Sequence, residues 1–455
     1  MTGKPAKKES AKSVKVEAPA AKKPRAVITP QPPRGMKDIL PVEEKYWNFV
    51  RGRADSIARA YGYEFLETPI LEETALFVRA VGRQTDIVEK QMFNFTDLGG
   101  DNLTLRPEGT AAVARAYLNH GMLNLPQPVK FFYQGPMFRH ERPQSGRYRQ
   151  FYQFGCEIIG DAKPVIDAEL VILGIRYFTD LGLEVDVEIN SIGDAADRVR
   201  YKEKLVAHYR ASRSSLCDDC KGRLGKNPLR VLDCKEEGCA KVRSSAPQLV
   251  DFLSEDNKNH FMKVLEFLDE ADVSYSMNPY LVRGLDYYTH TVFEFVPKGG
   301  EGDTRQNALG GGGRYDGLIE TLGGRPTPAA GLAIGLDRTI LQLKEKNIEV
   351  PEPKQPLVYM AQLGEPAKRK AFAVFEELRH AGIAAAATFT KDSLKSQMEI
   401  ANKLGVKYTV LLGQKEVLDG TVIIRDMDAG VQEIVDAKKI VQELKKKLEV
   451  EKILS

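Results

Sequence analysis

The densest group of residues that could do chemistry lies in residues 138–151, which read Phe-Arg-His-Glu-Arg-Pro-Gln-Ser-Gly-Arg-Tyr-Arg-Gln-Phe. The four arginines stand between two segments rich in β-branched and aromatic residues, which predicts a loop between two strands. Guanidinium groups keep their charge and offer a planar fork of donors, so a cluster of them suits phosphate, although a solvated basic turn has the same composition. Alternation along the return strand puts Gln153 and Glu157 on one face, which favours a pocket for a nucleotide and a small substrate.

Three other stretches carry unusual chemistry. Residues 281–289 contain a cation, an acid and two adjacent tyrosines, and residues 309–317 contain four consecutive glycines. Such a glycine run permits close backbone approach to a ligand or forms a tight turn, and it lacks the Lys-Ser/Thr that would close a P-loop. Residues 331–338 predict an apolar strand that enters a helix at Arg338, which could bind a nucleotide or pair with Asp337.

Glu108 and Thr110 stand just before a predicted helix, where capping is the default explanation and ammonium binding is compatible with it. The sequence contains neither a Gly-x-Ser-x-Gly elbow nor a His-Glu-x-x-His pair, so hydrolase and zinc-protease chemistry lack support.

Four of the five cysteines form two close pairs, Cys217-x2-Cys220 and Cys234-x4-Cys239. The first pair has the spacing of a zinc knuckle and the second is looser, so a structural zinc site and free thiols both remain open. A catalytic zinc is disfavoured because no histidine or carboxylate clusters with them, and we assign no metal ligand. Cys156 lies in an apolar segment and is interpreted as a buried thiol.

Composition limits the elements that can position these groups. The 455 residues predict about three domains, and 42% hydrophobic with 28% charged residues is ordinary for a folded protein. No apolar run reaches the roughly 18 residues of a membrane helix, so we expect a cytoplasmic protein without membrane contact. Residues 1–30 carry eight basic residues against two glutamates, and we expect this tail to be disordered, either attracting RNA weakly or aiding solubility.

Periodicity predicts a mixed sheet with antiparallel character rather than a Rossmann core. The predicted helices of this part cover residues 43–61, 110–119 and 167–181, and the predicted strands cover 65–71, 103–106, 129–137, 151–159 and 291–295. A helical insertion of about residues 195–268 interrupts it, and a proline-rich linker follows at 351–356. Beyond the linker, strand, helix, strand, helix and strand are predicted at 357–363, 368–381, 384–389, 394–404 and 408–412, with a final helix at 434–448.

Together these motifs resemble those of the histidyl-tRNA synthetases, a family of class II aminoacyl-tRNA synthetases. Residues 139–159 resemble motif 2 of the class and residues 331–338 resemble motif 3, while residues 59–71, with Pro69, resemble the dimer-forming motif 1. Residues 281–288 and 308–318 resemble the two histidine-specific signatures. The resemblance implies an α+β and α/β multidomain protein: a catalytic core at 31–350 with an antiparallel sheet flanked by helices, and an α/β anticodon-binding domain at 357–455.

The same resemblance implies histidine–tRNA ligase activity, with L-histidine, ATP and histidine tRNA as substrates, Mg²⁺ bound with ATP, and a homodimer. Arg139 would bind the α-phosphate, Arg147 and Arg338 the other phosphates or the adenine, and Arg283 would stabilise charge during transfer. Glu108, Thr110 and Gln153 would bind the α-amino group. Glu157 and Tyr288 would bracket the imidazole, and Tyr287 would line the pocket.

The sequence departs from the family pattern in two places, and two alternative functions remain open. Motif 3 has Asp337 where the family usually has glutamate, and the cysteines belong to no active site of the family, so zinc there would be structural. One alternative is a silent paralogue similar to the regulatory subunit of ATP phosphoribosyltransferase, which lacks the anticodon domain and the signature arginines. The other, a general RNA-binding module, explains neither the glycine run nor the tyrosine pair. The sequence does not indicate which tRNA bases are read.

Overall fold

A computed structural model of the chain describes residues 29–234, 236–299, 308–353 and 355–454. The chain divides into two compact units, with the boundary between Glu349 and Val350. The predicted disordered tail falls, except for its last two residues, outside the described part.

The first unit consists of helices, one large sheet and one smaller sheet. Its helices are α1 (Glu44–Ala60), α2 (Thr74–Val81), α3 (Thr110–Asn119), α4 (Pro164–Asp180), α5 (Ala195–Ala211), α6 (Asp218–Lys226), α7 (Glu237–Arg243), α8 (Glu255–Glu270), α9 (Leu318–Thr321) and α10 (Leu336–Glu345). Its strands are β1 (Glu64–Phe65), β2 (Leu71–Glu73), β3 (Phe93–Thr96), β4 (Asn102–Leu105), β5 (Val129–Phe138), β6 (Gln150–Ile159), β7 (Val185–Ser191), β8 (Tyr275–Met277), β9 (Thr289–Pro297), β10 (Gly310–Arg314) and β11 (Ala329–Gly335).

The large sheet has eight strands in the order β1-β5-β6-β11-β10-β9-β7-β8. The pairs at its two edges, β1 with β5 and β7 with β8, are parallel, and the pairs between them are antiparallel. The predicted mixed sheet with antiparallel character is therefore confirmed. A separate three-stranded sheet has the order β2-β4-β3.

Helix α4 packs on this sheet through a row of aromatic rings. The ring of Tyr177 contacts that of Phe154 in β6, and the ring of Phe178 contacts that of Phe295 in β9. Gly174 permits the close approach, because a Cβ there would lie 2.1 Å from the ring of Phe295. The buried face of α4 thus fixes the strands that carry the site.

The predicted strand at residues 65–71 is wrong. The chain follows β5 only as far as the hydrogen bond from Leu66 to Phe132, and it meets the smaller sheet again only from Ile70, which accepts from the amide of Arg106. Between them, the carbonyl of Thr68 accepts from the guanidinium of Arg106, and Pro69 has no amide hydrogen to donate. One extended segment therefore connects two sheets instead of forming one strand.

The second unit is an α/β module. Its helices are α11 (Glu365–His380), α12 (Leu394–Leu404), α13 (Gln414–Asp419) and α14 (Ile440–Leu454), and its strands are β12 (Val358–Gln362), β13 (Ala385–Ala387), β14 (Tyr408–Leu412), β15 (Thr421–Asp426) and β16 (Gln432–Asp436). The strands form one sheet in the order β13-β12-β14-β15-β16. Each of the five elements predicted between residues 357 and 412 is present.

The predicted helix at 434–448 begins too early. Residues 432–436 form β16, which pairs with β15 in a hairpin that the sequence did not predict, and the helix starts at Ile440. Ile434 and Val435 are apolar neighbours that fit a strand or a helix, so only the hairpin pairing decides between them.

The region predicted as a helical insertion contains α5, α6, α7 and most of α8, and no strand between Ser191 and Tyr275 among the described residues. No described helix is long and apolar enough to cross a membrane.

Candidate active site

A polar cavity of about 550 Å³ lies in the first unit. The loop between β5 and β6, the segment before β9, the strands β10 and β11 and the start of α10 all contribute to its wall. Nine of the ten predicted site residues line it: Glu108, Thr110, Arg139, Arg147, Gln153, Arg283, Tyr287, Tyr288 and Arg338. The tenth, Glu157, lies behind Thr110.

Two arginines of the predicted hairpin loop reach this cavity. The Nε of Arg139 donates to the carbonyl of Pro107 at 2.9 Å, and its guanidinium lies over the ring of Phe151. Arg147 pairs with Glu141 at 3.6 Å, while its buried Nε has no partner within the described structure. Arg139 is held by a carbonyl and a ring, and Arg147 by one long ion pair, so both guanidinium groups keep donors available to a ligand.

Arg338 joins these two from the first turn of α10. Its Nε donates to the carbonyl of Gly146 at 3.1 Å, and a terminal nitrogen donates to Ala308 at 2.7 Å. Burial, together with the charges of Arg147 and Arg139, lowers the pKa of Arg338 below its ordinary value. Three cations that repel one another across a cavity form a site for an anion with several charges.

The other loop arginines are not part of this cluster. Arg142 is exposed, and the Nε of Arg149 donates to the carbonyl of Glu141. Two of the four loop arginines therefore line the cavity, whereas Arg142 is exposed to solvent and Arg149 holds the loop through the loop's own backbone.

Glu108 is a buried carboxylate at the start of α3. It accepts from the amides of Thr110 at 2.8 Å and Ala111 at 2.9 Å, so the capping role expected from the sequence is confirmed. The hydroxyl of Tyr287 donates to it at 3.4 Å. Burial raises the pKa of Glu108 and the two amides oppose the increase, as does the charge of Arg139.

Glu157 is more deeply buried, on β6. Its carboxylate accepts from the hydroxyls of Thr110 at 2.7 Å, Tyr133 at 3.3 Å and Tyr315. Burial raises its pKa to about 8, against hydrogen bonds that lower it. Gly331 on the neighbouring strand makes room for this carboxylate, because a Cβ there would lie 1.8 Å from Oε2.

Gln153 precedes Glu157 by four residues on the same strand. Its buried side-chain oxygen has no hydrogen-bond partner among the residues described. An unsatisfied buried acceptor is costly, so its position on the cavity wall indicates a place for a ligand donor. The rings of Tyr287 and Tyr288, which are tilted by 45° with centroids 4.8 Å apart, close another part of the wall.

Arg283 forms an ion pair with Glu294, which lies on β9. Burial alone would lower the pKa of Arg283, but the carboxylate of Glu294 and the nearby phenols raise it above its ordinary value. The guanidinium lies over the ring of Tyr288, and its buried Nε has no partner in the described part of the chain. Arg283 thus stays charged at the cavity wall, and its Nε–H remains available to a ligand.

Three residues that orient the site side chains were not predicted from the sequence. Glu294 orients Arg283, and Tyr133 and Tyr315 orient Glu157. Glu294 was recognisable as the only acid within its apolar strand β9, and Tyr315 stands two residues after the glycine run. Tyr133 lies among other aromatic residues of β5 and gave no separate signal.

The glycine run forms strand β10, which is neither a turn nor a loop. It pairs with β9 on one side and β11 on the other. A Cβ at Gly311 would lie 2.9 Å from Arg283 and 2.5 Å from the carbonyl of Phe293. The missing side chains therefore let Arg283 lie against the strand at the cavity wall.

Asp337 accepts from the backbone amide of Tyr152 at 2.7 Å and pairs with Lys37 at 3.4 Å. Burial raises its pKa, and these contacts oppose the increase. The residue therefore joins α10 to β6, whereas a pair with Arg338 was the alternative that the sequence offered.

An antiparallel sheet that brings a hairpin arginine and a strand-to-helix arginine to one polar cavity defines the catalytic unit of a class II aminoacyl-tRNA synthetase. A family model described as histidyl-tRNA synthetase matches residues 35–202 and 228–339, and one described as anticodon binding domain matches residues 357–447. The chain belongs to the histidyl-tRNA synthetase family.

Individual proteins agree with this assignment. The histidine–tRNA ligase of Pelotomaculum thermopropionicum is 46% identical over 417 residues, which cover 91% of this chain and 97% of that protein. That of Desulforudis audaxviator is 47% identical over 415 residues, with 91% and 98% covered. The apo structure of S. aureus histidyl-tRNA synthetase aligns with a TM-score of 0.76 at 36% identity, covering 91% of this chain and 99% of that one.

Proposed function

We propose that this protein is a histidine–tRNA ligase, which forms histidyl-adenylate from L-histidine and ATP and then transfers histidine to the 3′ end of histidine tRNA. One observation carries the proposal: a single cavity is lined by the arginine cluster of Arg139, Arg147 and Arg338 and by the acceptors Glu108 and Gln153. The arginines suit a polyphosphate and the acceptors suit the ammonium group of an amino acid, so one cavity can bind both substrates next to each other.

The acceptors bind the amino acid in this proposal. The ammonium group of histidine donates to Glu108, the hydroxyl of Thr110 and the unsatisfied oxygen of Gln153. Ionised Glu157 has about four acceptor positions, and three hydroxyls fill three of them, which leaves one for an imidazole N–H. Histidine binding favours this ionised form, because a ring N–H that donates to the carboxylate lowers its pKa. Tyr288 brackets the ring from the other side, and Tyr287 lines the pocket.

This arrangement also explains selectivity. A pocket whose buried polar groups need a ring N–H rejects analogues that lack it by roughly 10⁴ to 10⁵, because those groups would remain unpaired. The buried Glu157 is such a group, because burial raises its pKa even though three hydroxyls donate to it.

The arginines act on the phosphates. The histidine carboxylate attacks the α-phosphorus of ATP in line, a bond forms between them, and pyrophosphate leaves. Arg139 binds the α-phosphate, Arg147 and Arg338 hold the other phosphates or the adenine, and Arg283 stabilises the charge that develops at the reacting centre.

Mg²⁺ accompanies ATP in this proposal and neutralises charge on the departing pyrophosphate. This ion prefers one or two carboxylates together with phosphate oxygens. Glu141 and Glu294 line the cavity and each pairs with a cavity arginine, so they fit that donor set.

For the transfer step we propose that the second unit binds the anticodon region of histidine tRNA, and that the first unit holds the catalytic core with its insertion. The family-model match at residues 357–447 supports this division. A homodimer formed through the segment that resembles motif 1, and a cytoplasmic location, remain predictions.

ATP–pyrophosphate exchange on the purified full chain tests the function directly. All twenty amino acids are supplied in turn with ATP and magnesium and without tRNA, and we expect exchange with histidine alone. Binding of histidine by a folded protein that performs no exchange would contradict the proposal and favour a regulatory paralogue.

A further inference from the structure

The four paired cysteines, which the catalytic site does not use, meet in space. Cys217 stands before α6, Cys220 lies in its first turn, Cys234 follows a short 3-10 helix, and Cys239 lies in α7. Their four sulfur atoms all lie within 4.8 Å of one another. Three of the four residues are buried and the fourth, Cys217, is partly exposed.

The spacing of the sulfurs fits one tetrahedral ion. Four ligands at a Zn–S distance of about 2.3 Å stand about 3.8 Å apart along the edges of a tetrahedron. The Sγ atoms of Cys217 and Cys234 are 3.8 Å apart, and all five cysteines of the chain are free. A disulfide needs about 2.05 Å between its sulfurs, so this pair has the separation of co-ligands and not of a bond.

The backbone around the cluster also suits thiolates. The amide of Cys217 donates to the sulfur of Cys239 at 3.3 Å, and the amide of Cys220 donates to the sulfur of Cys217 at 3.5 Å. Donors that point at ligand sulfurs orient them and stabilise their charge. Arg243 donates to the carbonyls of Leu232 and Cys234 and so fixes the loop that carries the third cysteine.

We propose that Cys217, Cys220, Cys234 and Cys239 bind one structural Zn²⁺. Four sulfur ligands close the coordination sphere, which is the arrangement of a structural and not a catalytic site. The first pair falls in the gap between the two stretches matched by the family model, so the model's match does not account for it.

The segment between the two cysteine pairs contacts residues next to the active site. In this segment, Asn227 donates to Asp286 at 2.8 Å and Arg230 pairs with Asp86 at 3.0 Å. Arg230 also lines the catalytic cavity, and a Cβ at Gly284 would lie 3.1 Å from it. The metal would thus fix the segment that packs against the loop carrying Arg283.

The first test is the metal content of the purified full chain, prepared under reducing conditions without chelator and measured by inductively coupled plasma mass spectrometry. We expect one zinc per chain. After the zinc is removed, Co²⁺ should bind in its place and give the thiolate charge-transfer absorption of a site with four sulfur ligands. A reduced, folded protein that contains no zinc and takes up neither Zn²⁺ nor Co²⁺ would overturn the proposal, as would iron in its place or disulfides revealed by intact mass.

Two variants complete the test. Cys217→Ser removes the most exposed ligand and should lose the bound zinc, whereas the matched variant Cys156→Ser, which alters the thiol outside the cluster, should retain it. Circular dichroism on both variants separates loss of metal from loss of fold. Full zinc retention in Cys217→Ser would contradict the assigned ligand set. Since the readout is metal content, the result is independent of the proposed ligase activity.

Discussion

Replacement of Arg283 separates its catalytic contribution from its structural one. Removing one preorganised donor from a transition state costs about 10² to 10³ in rate, or roughly 3–4 kcal/mol. Arg283→Gln alone also leaves Glu294 without its cation, and breaking such a pair costs about 3 kcal/mol of stability when, as here, the carboxylate keeps 15% of its side-chain surface exposed. The double variant Arg283→Gln, Glu294→Gln replaces the ion pair by two amides that can hydrogen-bond to each other.

We therefore expect the double variant to recover most of the melting temperature that the single variant loses, while histidine-dependent ATP–pyrophosphate exchange stays at least about 10²-fold below that of the unaltered protein. Glu294→Gln alone retains the guanidinium and measures separately the loss of exchange due to the carboxylate, which is also a proposed Mg²⁺ ligand, so the loss due to Arg283 is the difference between the double variant and this control. If the double variant exchanged within about twofold of the unaltered rate, the transition-state role of Arg283 would be refuted and its function would be purely structural.

Three further variants probe the rest of the site. Gln153→Ala should raise the KM for histidine by about tenfold while the KM for ATP stays unchanged, because one ammonium acceptor is lost; equal changes in both constants would argue against this role. Glu157 keeps its proton in the folded protein up to about pH 8, whereas an unfolded glutamate loses it near its ordinary pKa. The folded state thus binds more protons between these values, and the free energy of unfolding should fall as pH rises from 5 to 8. Glu157→Gln should remove a few kcal/mol of that fall in denaturant titrations at both pH values, and an unchanged slope would contradict the assignment. A chain that ends at Pro353 should retain exchange but aminoacylate tRNA poorly, and full aminoacylation would show that the second unit is dispensable.

The sequence determined the local chemistry and much of the fold. Helix α3 and strand β14 have the predicted bounds, because clear periodicity and sharp boundaries left no competing state. The family followed from four short motifs, since arginine, glycine and tyrosine at those spacings serve few other purposes. Residues 65–71 and 434–448 failed because pairing with other strands overrode the local pattern.

Tertiary structure alone decided which groups meet. Of the four loop arginines only Arg139 and Arg147 line the cavity, and the strand that carries the glycine run positions Arg283. Glu294 and Tyr133 were invisible as site residues because their roles arise from partners far away in the sequence. The two cysteine pairs are ambiguous by their spacing in the sequence, and only the packing of the segments that carry them brings their four sulfur atoms within 4.8 Å of one another.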